Sequence, residues 1–220
     1  MFDALFTTTT EYKKLSHALS GKGACALFGL PASGRAQVYA ALCRQLDKPL
    51  CIVTPGEAEA TRFAADLNTL GIPAAVFPAR DYVLRSIEGT AREYEYRRLA
   101  VLGELVGGRL RAVAVPAEAL TQFTTPKEDF CANTRTLHAG DTLLRDDLLA
   151  ALFGAGYTRR AHVDGPGQFS VRGDIVDIFA PDQKMPVRME FWGDEIDTLH
   201  TFDLTTQRRE DAIDKFYLSP

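Results

Sequence analysis

The stretch VRMEFWGDEIDTLHTF, from Val187 to Phe202, decides the fold of the second half of the chain. Its first six residues alternate between Val, Met and Phe on one side and Arg, Glu and Trp on the other. Because successive side chains of a strand point to opposite faces, this alternation predicts a strand over Val187–Trp192 with one core face. Gly193-Asp194 is a turn signal, so Glu195–Phe202 is predicted to return beside it as an antiparallel strand.

The residues before this stretch extend the same module. Gln168–Val171 and Asp174–Phe179 are predicted strands separated by Gly173, and Asp146–Phe153 is a predicted short helix. One helix and several strands with tight turns indicate a small α+β domain with an antiparallel sheet. The pattern before Thr124 is different.

The first half alternates short apolar runs with helical patterns. Its predicted strands are Ala24–Phe28, Leu50–Val53, Ala74–Phe77 and Ala112–Val115. Its predicted helices are Gln37–Leu46, Glu57–Leu70 and Thr90–Val106. Strands that alternate with helices predict a mostly parallel sheet with helices on both faces, so the fold class as a whole is α/β with an added α+β domain.

Composition supports two globular modules with different surfaces. The 220 residues carry a formal net charge of -4, and 25% of them are charged. Residues 1–124 hold 14 basic and 12 acidic side chains (+2), whereas residues 125–220 hold 11 and 17 (-6). No stretch approaches the ~20 apolar residues of a membrane span, and Met1–Thr10 lacks the basic start of a secretory signal. We therefore expect a cytoplasmic protein without a membrane partner.

The segment GLPASGRA, Gly29–Ala36, has the spacing of a phosphate-binding loop between a strand and a helix. Gly29 and Gly34 stand at the glycine positions, but Arg35 replaces the lysine and Ala36 replaces the magnesium-binding hydroxyl. Three interpretations are open: an active nucleotide site, a degenerate loop kept as scaffold, and a non-catalytic anion contact through Arg35. The residue types favour the degenerate loop.

The outer face of the predicted antiparallel sheet is the second candidate site. Arg188, Glu190 and Trp192 share that face, and Arg172 lies on the corresponding face of the preceding strand. If the strands are neighbours, these residues form one exposed patch, and Trp and Arg are the types enriched at interface hot spots. On the pattern alone, solvated charges are the simplest interpretation; a partner-protein patch and a nucleic-acid contact are the alternatives. The -6 balance argues against contact with phosphates.

Three stretches together resemble a known family. They are GQFSVRGDIVDIF (Gly167–Phe179), VRMEFWGDEID (Val187–Asp197) and TFDLTTQR (Thr201–Arg208). In this order they resemble the UvrB-like module of bacterial nucleotide excision repair, which the helicase UvrB shares with the transcription-repair coupling factors. The coupling factors are the nearer resemblance, because their phosphate loop is degenerate and because Arg80–Leu110 is too short for the damage-probing hairpin of UvrB.

The resemblance implies an architecture. Residues 1–124 would be the first part of a helicase-like domain with a degenerate P-loop, residues 125–210 an inserted UvrA-binding domain, and residues 211–220 the start of a return to the first domain. The chain would then be an N-terminal fragment. The missing parts would bind RNA polymerase and double-stranded DNA, and would form an ATP-dependent DNA translocase, a hydrolase of the helicase class that uses ATP and magnesium.

The resemblance also implies a function. This region would be a non-catalytic adaptor in DNA repair that recruits UvrA to stalled transcription complexes, with no cofactor, metal or catalytic residue of its own. The family's UvrA-contact positions correspond to Arg172, Arg188, Glu190 and Trp192, the last of which is usually Phe in the family. The alternative is an N-terminal fragment of UvrB itself, which would bind nucleotide and DNA.

Overall fold

The computed structural model describes residues 7–21, 24–46, 48–80 and 91–220. Backbone contacts divide them into two compact units. The first unit holds the residues up to Arg80 together with Gly107–Phe123, and the second holds the helix Ala91–Val106 together with Thr124–Pro220. Thr90, the predicted start of that helix, lies outside the described residues. No helix of the described residues is long and apolar enough to cross a membrane.

The first unit is a small parallel α/β sheet with helices. In chain order its elements are α1 (Thr10–Ser20), α2 (Ala32–Gln45), β1 (Leu50–Thr54), α3 (Glu57–Thr69), β2 (Ala74–Val76), β3 (Ala112–Pro116) and α5 (Ala117–Leu120). The three strands are parallel in the order β1-β3-β2, with Leu50 and Ala74 both opposite Ala112. The predicted parallel sheet is therefore confirmed for three of its four strands.

The core of this unit lies between the sheet and the helices α2 and α3. Phe63 and Leu67, one helical turn apart in α3, pack with Ala40 of α2 and Ala114 of β3, and all four are buried. Glu57 and Glu59 stand in the first turn of α3, where the helix dipole favours acidic side chains. The helical spacing seen in the sequence thus creates the face that covers the sheet.

The predicted strand Ala24–Phe28 is wrong. These residues form no strand and are exposed, Phe28 to 87%. A strand exists only where it shares a hydrogen-bond ladder with a neighbour, and in the sheet of the described residues β1 pairs with β3 alone, so its outer edge is not paired with Ala24–Phe28. An apolar run favours a strand but does not ensure that it pairs with the sheet.

The second unit is built on a six-stranded sheet. Its helices are α4 (Ala91–Val106), α6 (Lys127–Ala132) and α7 (Arg145–Gly154). Its strands are β4 (Arg135–His138), β5 (Thr158–Arg159), β6 (Gln168–Arg172), β7 (Ile175–Phe179), β8 (Val187–Trp192), β9 (Glu195–Phe202), β10 (Arg209–Ala212) and β11 (Lys215–Leu218). The large sheet has the order β10-β9-β8-β7-β6-β5, and β11 pairs with β4 in a separate ribbon.

The antiparallel part of this sheet confirms the expected alternation. One face carries Phe169, Val176, Met189 and Leu199 from four successive strands, all buried with Leu148 of α7 in one core. The two tight hairpins, at Gly173 and Gly193, both begin with a glycine at positive φ. Because β6 and β8 run in the same direction, both hairpins lie at the same end of the sheet.

The helix α4 belongs to the second unit through close contacts. A Cβ on Gly167, which has φ +70, would lie 2.5 Å from the hydroxyl oxygen of Tyr96 in α4. Arg98 of α4 donates from Nη2 to Thr124 Oγ1 at 2.6 Å. The sequence division at residue 124 placed this helix in the first domain, and the assignment of the functional domains remains a prediction. Likewise Lys215–Leu218 pairs with β4 of the second unit, and a return to the first domain remains a prediction.

Candidate functional site

The sheet face opposite the α7 core carries the candidate residues of the second unit in two rows. One row is Ser170, Asp177, Arg188 and His200, which lie opposite each other on β6, β7, β8 and β9. The next row is Arg172, Ile175, Glu190 and Thr198 on the same strands. Trp192 lies on the same face two residues after Glu190, at the hairpin end of β8. These two rows and Trp192 are called the polar face below.

A buried carboxylate joins the two arginines of the polar face. Asp177 Oδ1 accepts from Arg188 Nε at 2.7 Å, and its Oδ2 accepts from Arg188 Nη2 at 3.0 Å. Oδ2 also accepts from Arg172 Nη2 at 2.6 Å. A two-pronged guanidinium–carboxylate pair fixes direction as well as distance. Asp177 therefore holds both side chains in place.

Arg188 is enclosed rather than exposed. Its Nη1 donates to the backbone oxygen of Gln207 at 3.1 Å, and its Cζ lies 4.7 Å from the centroid of the Phe202 ring. Only 10% of its side chain reaches solvent. The expectation of an exposed Arg188 is thus wrong, because alternation gives the face of a side chain and not what covers that face. Here Phe179 and Phe202 form a small second core on the polar face with Val163 and Leu204.

Arg172 is the accessible member of the cluster. Its side chain is 40% exposed, and it reaches Asp177 through Nη2 only. Two guanidinium groups share one carboxylate, so the cluster keeps one positive charge that Asp177 does not neutralise. That charge lies at the surface on a module whose sequence is net acidic.

Glu190 and Trp192 complete the predicted set. Glu190 pairs with Arg209 of the edge strand β10 and accepts from Thr198 Oγ1 at 3.4 Å. Trp192 is 83% exposed. It lies four positions after Arg188 in the sequence, a distance of about 13 Å along β8. The four predicted residues therefore share one face, with Arg188 enclosed, Glu190 half-buried, Arg172 exposed and Trp192 projecting.

Sequence reasoning missed two residues that hold the cluster together, Asp177 and Gln207. The signal for Asp177 was present, since it is the one charged residue in the strand IVDIF (Ile175–Phe179) and has the parity of the outer face. Gln207 gave no signal, because it acts through its backbone oxygen.

The phosphate-loop candidate of the first unit is shaped differently. Gly29 has φ +82, but the helix α2 begins at Ala32, so Gly34, Arg35 and Ala36 are helical. Arg35 Nη1 lies 3.9 Å from Glu59 Oε1, and Ala36 is buried against α3 and the sheet. In the described parts of the chain, no three His, Cys, Asp or Glu side chains group as metal ligands. A helicase-like loop remains a prediction.

Comparison with known proteins identifies the second unit. Residues 136–220, which include the whole polar face, match the UvrB interaction domain. The chain is 36% identical over 192 residues to the transcription-repair-coupling factor of Mycobacterium bovis, covering 84% of this chain and 15% of that protein. It is 34% identical over 203 residues to the factor of Myxococcus xanthus, covering 87% of this chain and 17% of that protein. It is 28% identical over 196 residues to the factor of Bacillus subtilis, covering 88% of this chain and 17% of that protein.

The chain spans about a sixth of the length of these curated relatives. The resemblance seen in the three sequence stretches is therefore confirmed: residues 136–220 match the UvrB interaction domain, in a chain that is similar over most of its length to a part of transcription-repair-coupling factors.

Proposed function

We propose that this chain is a non-catalytic adaptor region that recruits UvrA to stalled transcription complexes in nucleotide excision repair. The observation that carries the proposal is the polar face. It lies entirely within the residues that match the UvrB interaction domain, and it combines a fixed cationic cluster with a projecting aromatic side chain.

The cationic cluster suits recognition of an acidic partner group. Asp177 neutralises one guanidinium and orients both, so the charge of Arg172 is available at a defined position. Charges that are oriented before binding lose little conformational entropy when a partner arrives. Electrostatic complementarity of this kind sets specificity and association rate.

The projecting aromatic side chain suits an apolar pocket on the same partner. Trp192 exposes a large apolar surface, which is unfavourable in water and is removed when a partner covers it. Glu190 lies two residues before Trp192 on the same face of β8, and its pair with Arg209 adds charged side chains to this face. An aromatic anchor with charged neighbours is the usual composition of an interface hot spot.

The first unit supports the non-catalytic part of the proposal. Arg35 faces a carboxylate, and Ala36 packs in the core, so neither offers a group for a magnesium–nucleotide complex. Translocation with ATP and magnesium, and binding of RNA polymerase and double-stranded DNA, would belong to other parts of a longer protein. The much greater length of the relatives is in keeping with this division.

The proposal is tested by titrating purified UvrA with the 220-residue chain. Arg172→Ala should weaken binding by about 2 kcal/mol, roughly thirty-fold, as expected for a hot-spot arginine. Arg159→Ala, which removes an exposed arginine from the edge strand β5, is the matched control and should leave the affinity unchanged. Unchanged affinity for both Arg172→Ala and Arg188→Ala would overturn the proposal.

A further inference from the structure

The third family stretch, Thr201–Arg208, has no role in the proposed function, although the sequence singles it out. Its first two residues end β9, and its last six, Asp203–Arg208, form the loop that leads to β10. This segment is called the 203–208 loop below. Its geometry connects it to Arg188.

The 203–208 loop is closed by its own hydrogen bonds. Asp203 Oδ1 accepts from Thr205 N at 3.1 Å, from Thr206 N at 2.7 Å and from Thr206 Oγ1 at 2.8 Å. The backbone of Asp203 bonds at 3.0 Å to Arg208 and at 2.8 Å to Gln207. The bonds from Thr206 lower the pKa of Asp203 below its ordinary value. A loop closed in this way has a defined shape in the absence of a partner.

Gln207 has an unusual backbone within that loop. Its φ is +59, and among the described residues it is the one non-glycine residue at positive φ. The left-handed region is unfavourable for an L residue with a long side chain, so it persists where the surroundings enforce it. Backbone outliers of this kind are concentrated at functional sites.

The side chain of Gln207 enforces this conformation. Its Nε2 donates to Leu204 O at 2.8 Å and to Val163 O at 3.4 Å. Its Oε1 is buried and has no hydrogen-bond partner among the described residues. If the amide were flipped, Oε1 instead of Nε2 would face the carbonyl oxygens of Leu204 and Val163, which cannot donate a hydrogen bond. Oε1 therefore stays without a partner because Nε2 is the atom that anchors the side chain.

The result is a carbonyl oxygen directed at Arg188. Gln207 O accepts from Arg188 Nη1 at 3.1 Å, while Asp177 binds Nε and Nη2 of the same guanidinium. Asp177 reaches Arg188 from the neighbouring strand and Gln207 from the 203–208 loop, so all three nitrogens of the guanidinium have acceptors.

We propose that Gln207 is a positioning residue: it fixes the guanidinium of Arg188 on the polar face, and the affinity for UvrA depends on it. The dependence of UvrA affinity on Gln207 rests on the proposed function, whereas the position of the Arg188 guanidinium is a property of the free chain.

Two variants separate the backbone from the side chain of Gln207. Gln207→Ala removes the anchor and leaves an L residue that avoids positive φ, so a smaller fraction of molecules presents the oxygen to Arg188; UvrA should bind about five-fold more weakly. Gln207→Gly also removes the anchor but adopts positive φ freely, so the loss should be only about two-fold. Thr205→Ala, an exposed position in the same loop that keeps its backbone N–H, is the matched control and should bind as the unaltered chain does.

The second readout is the Arg188 Nε–Hε signal in the nitrogen-15 NMR spectrum of the free chain. We expect it to shift and to exchange faster with water in Gln207→Ala than in Thr205→Ala. The inference would be overturned if Gln207→Ala bound UvrA as tightly as the unaltered chain does. It would also be overturned if Gln207→Ala bound more weakly while its Arg188 signal stayed in the position seen for the unaltered chain. If the unaltered chain itself failed to bind UvrA, the proposed function would fail, and the NMR comparison would still decide whether Gln207 fixes Arg188.

Discussion

Each unit pairs an arginine with a carboxylate at its candidate site, and the two pairs differ in burial. Arg35 lies 3.9 Å from Glu59, and the side chains of both reach solvent. Arg188 makes two bonds to Asp177, whose side chain is buried. An exposed pair contributes about 0–1 kcal/mol to stability, whereas breaking a buried pair costs about 3–5 kcal/mol. An arginine–carboxylate pair therefore contributes little in the first unit and is part of the folded structure in the second.

A second contrast lies within the polar face. Asp177 and Arg188 are enclosed and belong to the fold, whereas Trp192 projects and contributes little to it. Loss of Asp177 should consequently lower the stability of the domain, whereas loss of Trp192 should weaken partner binding and leave stability unchanged. Variants that affect one property and spare the other test this separation directly.

The largest effect is expected for Asp177→Ala. It leaves two arginines without their shared carboxylate, one of them almost fully enclosed, and should lower the free energy of unfolding by about 3–5 kcal/mol. Urea denaturation measures the change. Asp174→Ala removes an exposed carboxylate from the adjacent hairpin and should change stability by about 0.5 kcal/mol or less. Equal effects of the two variants would mean that burial does not distinguish the carboxylates.

The next largest effect is expected for Trp192→Ala, and on binding rather than folding. Loss of the aromatic anchor should weaken UvrA binding by about 2 kcal/mol, roughly thirty-fold. The unfolding midpoint should stay the same, because the side chain is 83% exposed. Trp192→Phe keeps an aromatic side chain, the one that the family resemblance implies at this position, and should retain most of the affinity. Full affinity for Trp192→Ala would remove the residue from the interface.

The polar face shows which features could be predicted from the sequence. Period-two alternation assigned Arg172, Arg188, Glu190 and Trp192 to one face, and the register confirms it, since alternation depends only on local backbone geometry. The enclosure of Arg188 depends on the 203–208 loop, which is distant in sequence. No local pattern encodes that contact.

The first unit shows which of its features local sequence patterns predict and which they do not. Both helices of its core were predicted: α3 ends within one residue of its predicted end, whereas α2 begins at Ala32, five residues before the predicted Gln37. The strand predicted at Ala24–Phe28 is wrong, because strand formation depends on pairing with a neighbouring strand, and a run of apolar residues does not show whether that pairing occurs. The spacing of Gly29–Ala36 is that of a phosphate-binding loop, but it did not show that Ala36 is a core residue, and a helicase-like loop remains a prediction.

The smallest effect is expected at Arg35. Because its pair with Glu59 is long and partly exposed, Arg35→Ala should change the free energy of unfolding by about 0.5 kcal/mol or less. Calorimetric titration with magnesium–ATP should give no saturable binding to the unaltered chain. The double variant Arg35→Lys, Ala36→Ser restores the phosphate-loop residue types, yet it should not bind nucleotide either, because the new hydroxyl would lie in the core beside α3. Tight saturable binding of magnesium–ATP by the unaltered chain would instead favour a nucleotide-dependent enzyme. The Arg35–Glu59 pair would then matter more for function than the Arg188–Asp177 pair.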